Sequence, residues 1–236
     1  YKGDLMMLEI ISKANWTRPI YVAYTVGADN YMNLGDNFVL EGLANRITPF
    51  TTNKEGMKNF DTDKTYDNMM NRYKYGGVNT PGVYLDETVR RMCSTHRRLF
   101  GQLCQHLISE GKNDKAAKAL AKCDKELPSC NLPMNYLSGA NELAESYARL
   151  GNKKDALRII NEEWKEAYEY ASYYIGLNGM DFAMSRKEIF TQLYFLSEIA
   201  KTTALVDKKL SDKQFDTLST LEDTYYKKGG KPFEFE

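Results

Sequence analysis

The feature that most restricts what this chain can fold into is a segment that recurs forty residues later. Around Gly111 the sequence runs Glu110-Gly111-Lys112-Asn113-Asp114-Lys115-Ala116-Ala117, and around Gly151 it runs Leu150-Gly151-Asn152-Lys153-Lys154-Asp155-Ala156-Leu157. Apolar residues at helical spacing flank both glycines, so each copy reads as two helices joined at a bend. In the first copy Phe100, Leu103, Cys104 and Leu107 precede the glycine, and Ala116, Leu120, Cys123 and Pro128 follow it. In the second, Leu143, Ala144 and Tyr147 precede Gly151, and Ala156 and Ile160 follow. Small Cys104 and Ala116 let two antiparallel helices approach, while Leu103, Leu107 and Leu120 fill the gap between them.

Large, small and aromatic positions at fixed offsets are the grammar of tetratricopeptide repeats, helix-turn-helix units of roughly 34 residues. The first copy fits well. The second is degenerate, with Ala140 where an aromatic is usual and Tyr168 where proline is usual, and the extra residues over the usual period fall between Pro128 and Pro133. Each unit leaves an apolar face that only a neighbour can cover, so two units need support at both ends. Downstream helices supply it at one end. The stripe Ala156, Ile160, Trp164, Tyr168, Ala171 and Ile175 predicts a long helix stopped by Asn178-Gly179. Ser185-x-x-Glu188 then predicts a capped helix with Ile189, Leu193, Leu196 and Ala200 inward. Ser211-x-x-Gln214 predicts another, with Phe215, Leu218 and Tyr225 inward, ended by Gly229-Gly230.

The first 84 residues have a different texture. Asp4 is placed to cap a helix carrying Leu5, Leu8 and Ile11. Ile20 to Val26 and Leu43 to Phe50 read as strands that pair into a small sheet. Asp61 to Tyr75 reads as a helix broken by Gly76-Gly77, and Asn79-Thr80-Pro81-Gly82 as a turn. The expected fold is mainly α: a tetratricopeptide-like superhelix of antiparallel helix pairs with a small N-terminal α/β portion. The expected organisation is 1–84 for that portion, 85–228 for the helical repeat region and 229–236 for a tail.

Composition narrows the function. At 236 residues, 42% hydrophobic and 27% charged, the chain has the make-up of a folded protein with room for one large domain or two small ones. Lys and Arg together equal Asp and Glu, 32 of each, so no general field draws nucleic acid, and none is expected as a partner. Mean hydropathy is −0.56 and no apolar run is long enough to span a bilayer. A start at Tyr1 with no leader-like segment reads as an excised or processed piece. Four cysteines and two histidines lack metal or redox spacing, and no nucleophile elbow, phosphate loop or dinucleotide fingerprint is present. Neither catalytic residues, metal ligands nor a cofactor are therefore assigned. Acid pairs such as Asp86-Glu87 and Glu162-Glu163 read as solvated surface, because adjacent helical residues do not face each other. Lys115, Lys118, Lys122 and Lys125, interleaved with acids, read as a wet face.

Two groups remain as binding candidates. Asp29, Asn30 and Tyr31 follow the first strand and could hydrogen-bond and stack on a sugar; the alternative is that Asp29 and Asn30 simply build a turn. Arg98, Gln105, Asn141 and Glu145, with Gly101 and Ser138, fall on the inner face of the repeats, where they would hold a peptide or serve as structural support.

Several motifs together resemble a known family. Trp16-Thr17-Arg18-Pro19-Ile20-Tyr21, Val26-Gly27-x-Asp29-Asn30-Tyr31, Leu40-Glu41-Gly42-Leu43-Ala44-x-Arg46, Tyr66-Asp67-Asn68-Met69-Met70 and Val83-Tyr84-Leu85-Asp86-Glu87, then Arg90-Arg91-Met92, occur in one order. That order is similar to the region downstream of the membrane part in bacterial multi-spanning proteins resembling protein O-mannosyltransferases. The resemblance covers about residues 1 to 200. It implies a parent enzyme with a membrane-embedded glycosyltransferase core using a lipid-linked sugar donor. This chain would be its tetratricopeptide-like tail on the exoplasmic face, the periplasm of a Gram-negative cell. The family's catalytic acid would lie in the membrane portion, so no catalytic residue carries over. The implied partners are the membrane-embedded portion of the same polypeptide and an acceptor protein or glycan. A periplasmic setting would permit a Cys104–Cys123 bridge, with two packed thiols as the alternative. The expected function is a non-catalytic accessory region that supports the membrane core or positions the acceptor. A free-standing peptide-binding adaptor is the alternative, and a hydrolase using clustered carboxylates a more distant one.

Overall fold

The computed structural model describes residues 2–51 and 59–232. The chain divides into two compact units, Tyr1–Lys74 and Tyr75–Glu236, against a change of texture expected at about residue 84.

In the first unit, α1 (Lys2–Ala14) is followed by β1 (Tyr21–Ala23), β2 (Phe38–Leu40) and β3 (Ala44–Ile47). The three strands form an antiparallel sheet in the order β1-β3-β2, with Tyr21 opposite Arg46 and Phe38 opposite Ile47. Val22, Phe38 and Ile47 make its core, and Ile11, Ile20, Val26, Tyr31 and Leu34 pack on it. Then comes α2 (Thr62–Asp67), capped by Asp61, whose carboxylate accepts from Lys64 N at 2.9 Å. It continues as a π-helical turn over Asn68–Arg72.

Three local expectations are corrected here. Asp4 lies inside the first turn of α1, where its charge suits the helix dipole, and does not cap it. The first strand is much shorter than the run 20–26, because a turn closes at Val26 N to Ala23 O and removes that amide from any ladder. Phe38–Leu40, outside both expected strands, is a strand as well. Its Phe38 and Leu40 are buried on alternate positions, too short a run to show periodicity in sequence.

The second unit is a succession of helices: α3 (Glu87–Ser109), α4 (Asn113–Glu126), α5 (Ala140–Arg149), α6 (Lys153–Gly176), α7 (Gly179–Met184), α8 (Arg186–Ala204) and α9 (Lys208–Lys227). α3 packs against α4 and α5, α5 against α6, α6 against α8 and α8 against α9. Gly111 and Gly151 both sit at helix-helix bends with φ of +73° and +79°. The bonds around them repeat: Lys112 N reaches Leu107 O at 2.8 Å and Asn152 N reaches Tyr147 O at 2.9 Å, each tying the residue after the glycine to the end of the preceding helix. This is the bond pattern of a left-handed glycine closing a helix. Phe100, Leu103, Cys104, Leu107, Ala116, Leu120, Leu143, Ala144, Ala156 and Ile160 are buried, as is the ring of Tyr147, whose hydroxyl donates to Asp124 at 2.6 Å. No bridge joins Cys104 and Cys123: all four cysteines are free thiols, and burial pushes the Cys123 thiol up to about 12.

Helix details also depart from the sequence reading. The buried face of α6 is Ala156, Ile159, Ile160, Glu163, Ala167, Ala171 and Ile175, while Trp164 is half-buried and Tyr168 exposed. At 3.6 residues per turn, steps of four drift by about 40° each, so a strict run 156-160-164-168 winds off the face that a three-four alternation keeps. Ser185 makes no side-chain cap bond. The last helix starts earlier than Ser211, capped by Asp207 onto Leu210 N at 3.1 Å. Ser211 is buried within it and donates to Ala200 O of α8 at 2.8 Å. Phe215 is exposed, whereas Leu218 and Tyr225 are buried. Gly229 and Gly230 follow the end of α9, and residues 233–236 of the expected tail lie outside the described residues.

The close approach of Gly139, at the start of α5, to α3 gives a direct test. A Cβ on Gly139, which has φ +81°, would lie 2.7 Å from Arg98 Cα and 2.9 Å from Arg98 N, atoms of α3 that cannot step aside. Gly139→Ala is expected to lower unit 2 stability by about 1–3 kcal/mol, the usual range for overpacking. Urea unfolding followed by circular dichroism would measure it, and an unchanged midpoint would contradict this packing.

Candidate functional site

The residues singled out in the sequence fall into separate places. Asp29 and Asn30 are exposed on a 3-10 turn, Ala28–Asn30, closed by Asn30 N to Gly27 O at 3.0 Å. Tyr31 is engaged in the sheet core, its ring edge-on to Phe38 with centroids 4.9 Å apart. In unit 2, Gln105 of α3 and Glu145 of α5 bond each other, Gln105 Nε2 donating to Glu145 Oε2 at 2.9 Å. Arg149 occupies the other oxygen of Glu145 at 2.6 Å. Arg98 is exposed beside Gly139. Asn141 is half-buried, and its Oδ1 has no partner among the described residues.

The motif residues of the first unit build a closed polar cluster. Glu41, 3% exposed, accepts from Tyr21 Oη at 2.8 Å, Arg46 Nε at 2.6 Å and Lys64 Nζ at 2.8 Å. Burial alone would raise its carboxyl, but the bonds from Lys64, Tyr21 and Arg46 outweigh that and hold it below the ordinary glutamate range. Asn68 donates to Glu41 O at 2.9 Å, and Leu43 N donates to Tyr73 Oη at 3.0 Å, tying the β2–β3 turn to the helix after it. Three donors on one carboxylate leave it little capacity for a ligand, and the cluster works as a lock between strand and helix.

A more open arrangement lies on α6, and it begins with a residue the sequence reading passed over. Arg97 of α3 is fully buried. Its Nη1 donates to Pro133 O at 2.8 Å and Ser138 Oγ at 2.9 Å, and its Nη2 donates to Leu127 O at 2.9 Å and Leu132 O at 2.7 Å. The guanidinium thus holds the connection between α4 and α5 from inside. Asn135 in that connection caps the short turn Tyr136–Ser138 and extends its Nδ2 to Glu166 Oε1 on α6 at 3.1 Å.

Next to it, two cavities share Asn135, Glu166 and Tyr170. The larger, about 750 Å³, lies between Arg90 and Ser94 of α3, the connection at Leu132 and Pro133, and Glu169 and Tyr173 of α6. The smaller, about 320 Å³, is lined by Tyr136, Leu137, Glu163, Ala167 and Tyr174, with Gln192 and Phe195 of α8. Glu163, Glu166, Tyr170 and Tyr174 follow one another at three- and four-residue steps, which places them on a single helix face. Tyr170 and Tyr174 stack with centroids 6.3 Å apart and an interplanar angle of 19°.

Glu163 is the unusual member. It is 1% exposed, and neither of its carboxyl oxygens has a hydrogen-bond partner among the described residues. Burial, then the nearby Glu142, raises its carboxyl well above the ordinary value of 4.5, with Arg97 pulling the other way. Burial likewise raises Glu142 and Glu166. This overturns the reading of Glu162-Glu163 as a solvated pair: Glu163 lies three residues after Ile160 and four before Ala167, on the buried face. That register was the available signal. Carboxyls, amides and tyrosine faces equip the groove to receive hydrogen-bond donors, positive charge or flat apolar surfaces. No group of His, Cys, Asp and Glu among the described residues is arranged to hold a metal ion.

Comparison with known proteins bears on the first unit. A family model described as TMEM260-associated domain 2 matches residues 1–64. That stretch contains the Trp16 to Tyr21, Val26 to Tyr31 and Leu40 to Arg46 motifs, and so Glu41, Arg46 and Lys64 of the lock. The match is shorter than the span to about residue 200 expected from the motifs, and the groove on α6 lies outside it. No curated protein and no solved structure matches the chain. Among the described residues, no helix is long and apolar enough to cross a membrane.

Proposed function

We propose that this chain is a non-catalytic region that works with a membrane glycosyltransferase resembling the protein O-mannosyltransferases. On this reading it lies on the exoplasmic side, and its helix pairs, of tetratricopeptide type, position an acceptor protein or glycan or support the membrane core. The observation that carries the reading is the match of residues 1–64 to a domain associated with TMEM260. The groove on α6 adds a surface on which an acceptor could be held.

The test is isolation of the tagged protein from its native membranes in mild detergent. A multi-spanning membrane protein should accompany it or be continuous with it. Transfer of a sugar from a lipid-linked donor by that preparation should fall by most of its value when the Arg46 and Lys64 contacts to Glu41 are both removed. Isolation without any membrane protein, or transfer indifferent to that change, would overturn the proposal. The position of the groove outside the matched residues favours a second reading, a free-standing adaptor that binds a peptide. It requires peptide capture with no membrane protein present.

A further inference from the structure

We propose that the groove along α6 is a binding site for a cationic side chain of a polypeptide, a lysine ammonium or arginine guanidinium, met by Glu163 and Glu166 and flanked by Tyr170 and Tyr174. The inference concerns the groove itself and does not depend on association with a membrane enzyme.

The argument starts from Glu163. A carboxyl taken out of water is strongly disfavoured unless donors or an opposite charge compensate it. Glu163 has neither on its two oxygens, although it lines a cavity of about 320 Å³. The charged groups acting on it are Glu142 from α5, Glu162 and Glu166 from α6, and Arg97 from α3. From α8 the cavity receives Gln192 and Phe195, which carry no charge. Arg97 cannot serve fully as counter-ion, since both its Nη atoms are spent on Leu127, Leu132, Pro133 and Ser138. Three neighbouring acids, of which Glu162 is paired with Arg158 at 3.8 Å, therefore act on Glu163 against one cation whose Nη atoms are already taken. A ligand bringing N–H donors and positive charge would satisfy the bare oxygens and relieve the repulsion at once. A neutral sugar could offer hydroxyls but would leave the repulsion in place.

Size and aromatic lining agree with this. The smaller cavity has room for an ammonium or guanidinium with its methylenes, and the adjoining compartment of about 750 Å³ for the backbone that carries it. Tyr170 and Tyr174 present stacked rings beside the acids, a surface that attracts cations. Burial raises the Glu163 carboxyl well above its ordinary value, and a cation arriving beside it pulls that value back down and so draws off proton. The balance is simple: the ligand keeps its charge, Glu163 passes its proton to the buffer, and an ion pair remains. Affinity must then rise with pH.

The experiment is calorimetric titration of the whole chain with blocked Gly-Arg-Gly and Gly-Lys-Gly, against Gly-Gln-Gly and a mannose oligosaccharide. It is run at about pH 5.5 and about pH 8 in buffers of different ionisation heat, which reads the protons released. The expected result is binding of the cationic peptides at least about ten-fold tighter than of Gly-Gln-Gly, tighter at the higher pH, and with proton release. Glu163→Gln should remove the preference and the proton release while retaining the circular dichroism of the helices. If that variant fails to fold, proton release by the unaltered chain decides alone. Equal binding of Gly-Gln-Gly, heat from the oligosaccharide only, cation binding without proton release, or no response to any probe would each overturn the proposal. None of these results would bear on whether a membrane protein accompanies the chain.

Discussion

Arg97→Met is expected to destabilise the second unit by about 3–5 kcal/mol, the range for removing one side of a buried charged network. Methionine keeps much of the length and the apolar contacts of the side chain, but it leaves the carbonyls of Leu127, Leu132 and Pro133 and the Ser138 hydroxyl without their shared donor. Each buried acceptor left bare costs about 1–3 kcal/mol, reduced where the connection can loosen and admit water. Leu127 also ends α4, so the guanidinium sits where positive charge is favoured by the helix dipole. Burial disfavours that charge, and the cage of carbonyl dipoles together with Asp124 and Glu162 acts in the other direction. Thermal unfolding should show Tm lower by roughly 6–20 °C, taking about 2–4 °C per kcal/mol for a unit of this size. Arg97→Lys should recover part of the loss, because an ammonium has three donors but cannot span the same fork. A change below about 1 kcal/mol for Arg97→Met would mean the cage is not holding the connection.

Glu163→Leu is expected to act in the opposite direction, and increasingly so as pH rises. In the folded protein the carboxyl is raised well above 4.5, so between that value and the raised one the folded chain binds a proton that the unfolded chain has released. The stability contributed by this group is therefore complete below the unfolded value and is lost as pH climbs through the folded one. The slope is about 1.4 kcal/mol per pH unit for one proton. Leucine has no such dependence and also removes an unpaired polar group from the interior, which alone should stabilise by about 1–3 kcal/mol. The measurement is Tm of both forms from about pH 5 to about pH 8, where the difference in favour of the variant should widen with pH until the raised value is passed and then level off. Parallel curves would show that the folded Glu163 carboxyl ionises no higher than its ordinary value. Glu41 does not confuse the comparison. Its carboxyl is held low, so its contribution is present above the unfolded value and is lost only as pH falls through the lowered one.

Much of the helical architecture was legible because its signals are local. The bends at Gly111 and Gly151 each depend on a handful of neighbouring residues, and helix α6 was visible as a stripe ended by Asn178-Gly179. The small sheet was visible in the β-branched run near Val22 and in its pairing with the segment around Ile47. Finer local features were less secure. Ser185 and Ser211 have the spacing of caps, yet Ser211 is drawn instead to the Ala200 carbonyl of a neighbouring helix, and Asp207 caps in its place. β2 is too short to show alternation, and its strand character comes from pairing with β3.

The candidate site was far less legible. Arg97 stands beside Arg98 in the sequence, and nothing local distinguishes the buried one from the exposed one. Its partners lie 30 to 41 positions away. Glu163 stands beside Glu162 in the same way, and a drift of about 40° per step in the assumed stripe was enough to move Trp164 inward and Glu163 outward on paper. By itself, then, the sequence determined that the chain pairs helices about two glycine bends and carries a small sheet ahead of them, because backbone propensity and periodicity act over a few residues. Only the tertiary structure decided which arginine is enclosed and which acid is left bare beside a cavity. Desolvation depends on what other helices bring to a side chain, and that is set by packing across distant parts of the chain.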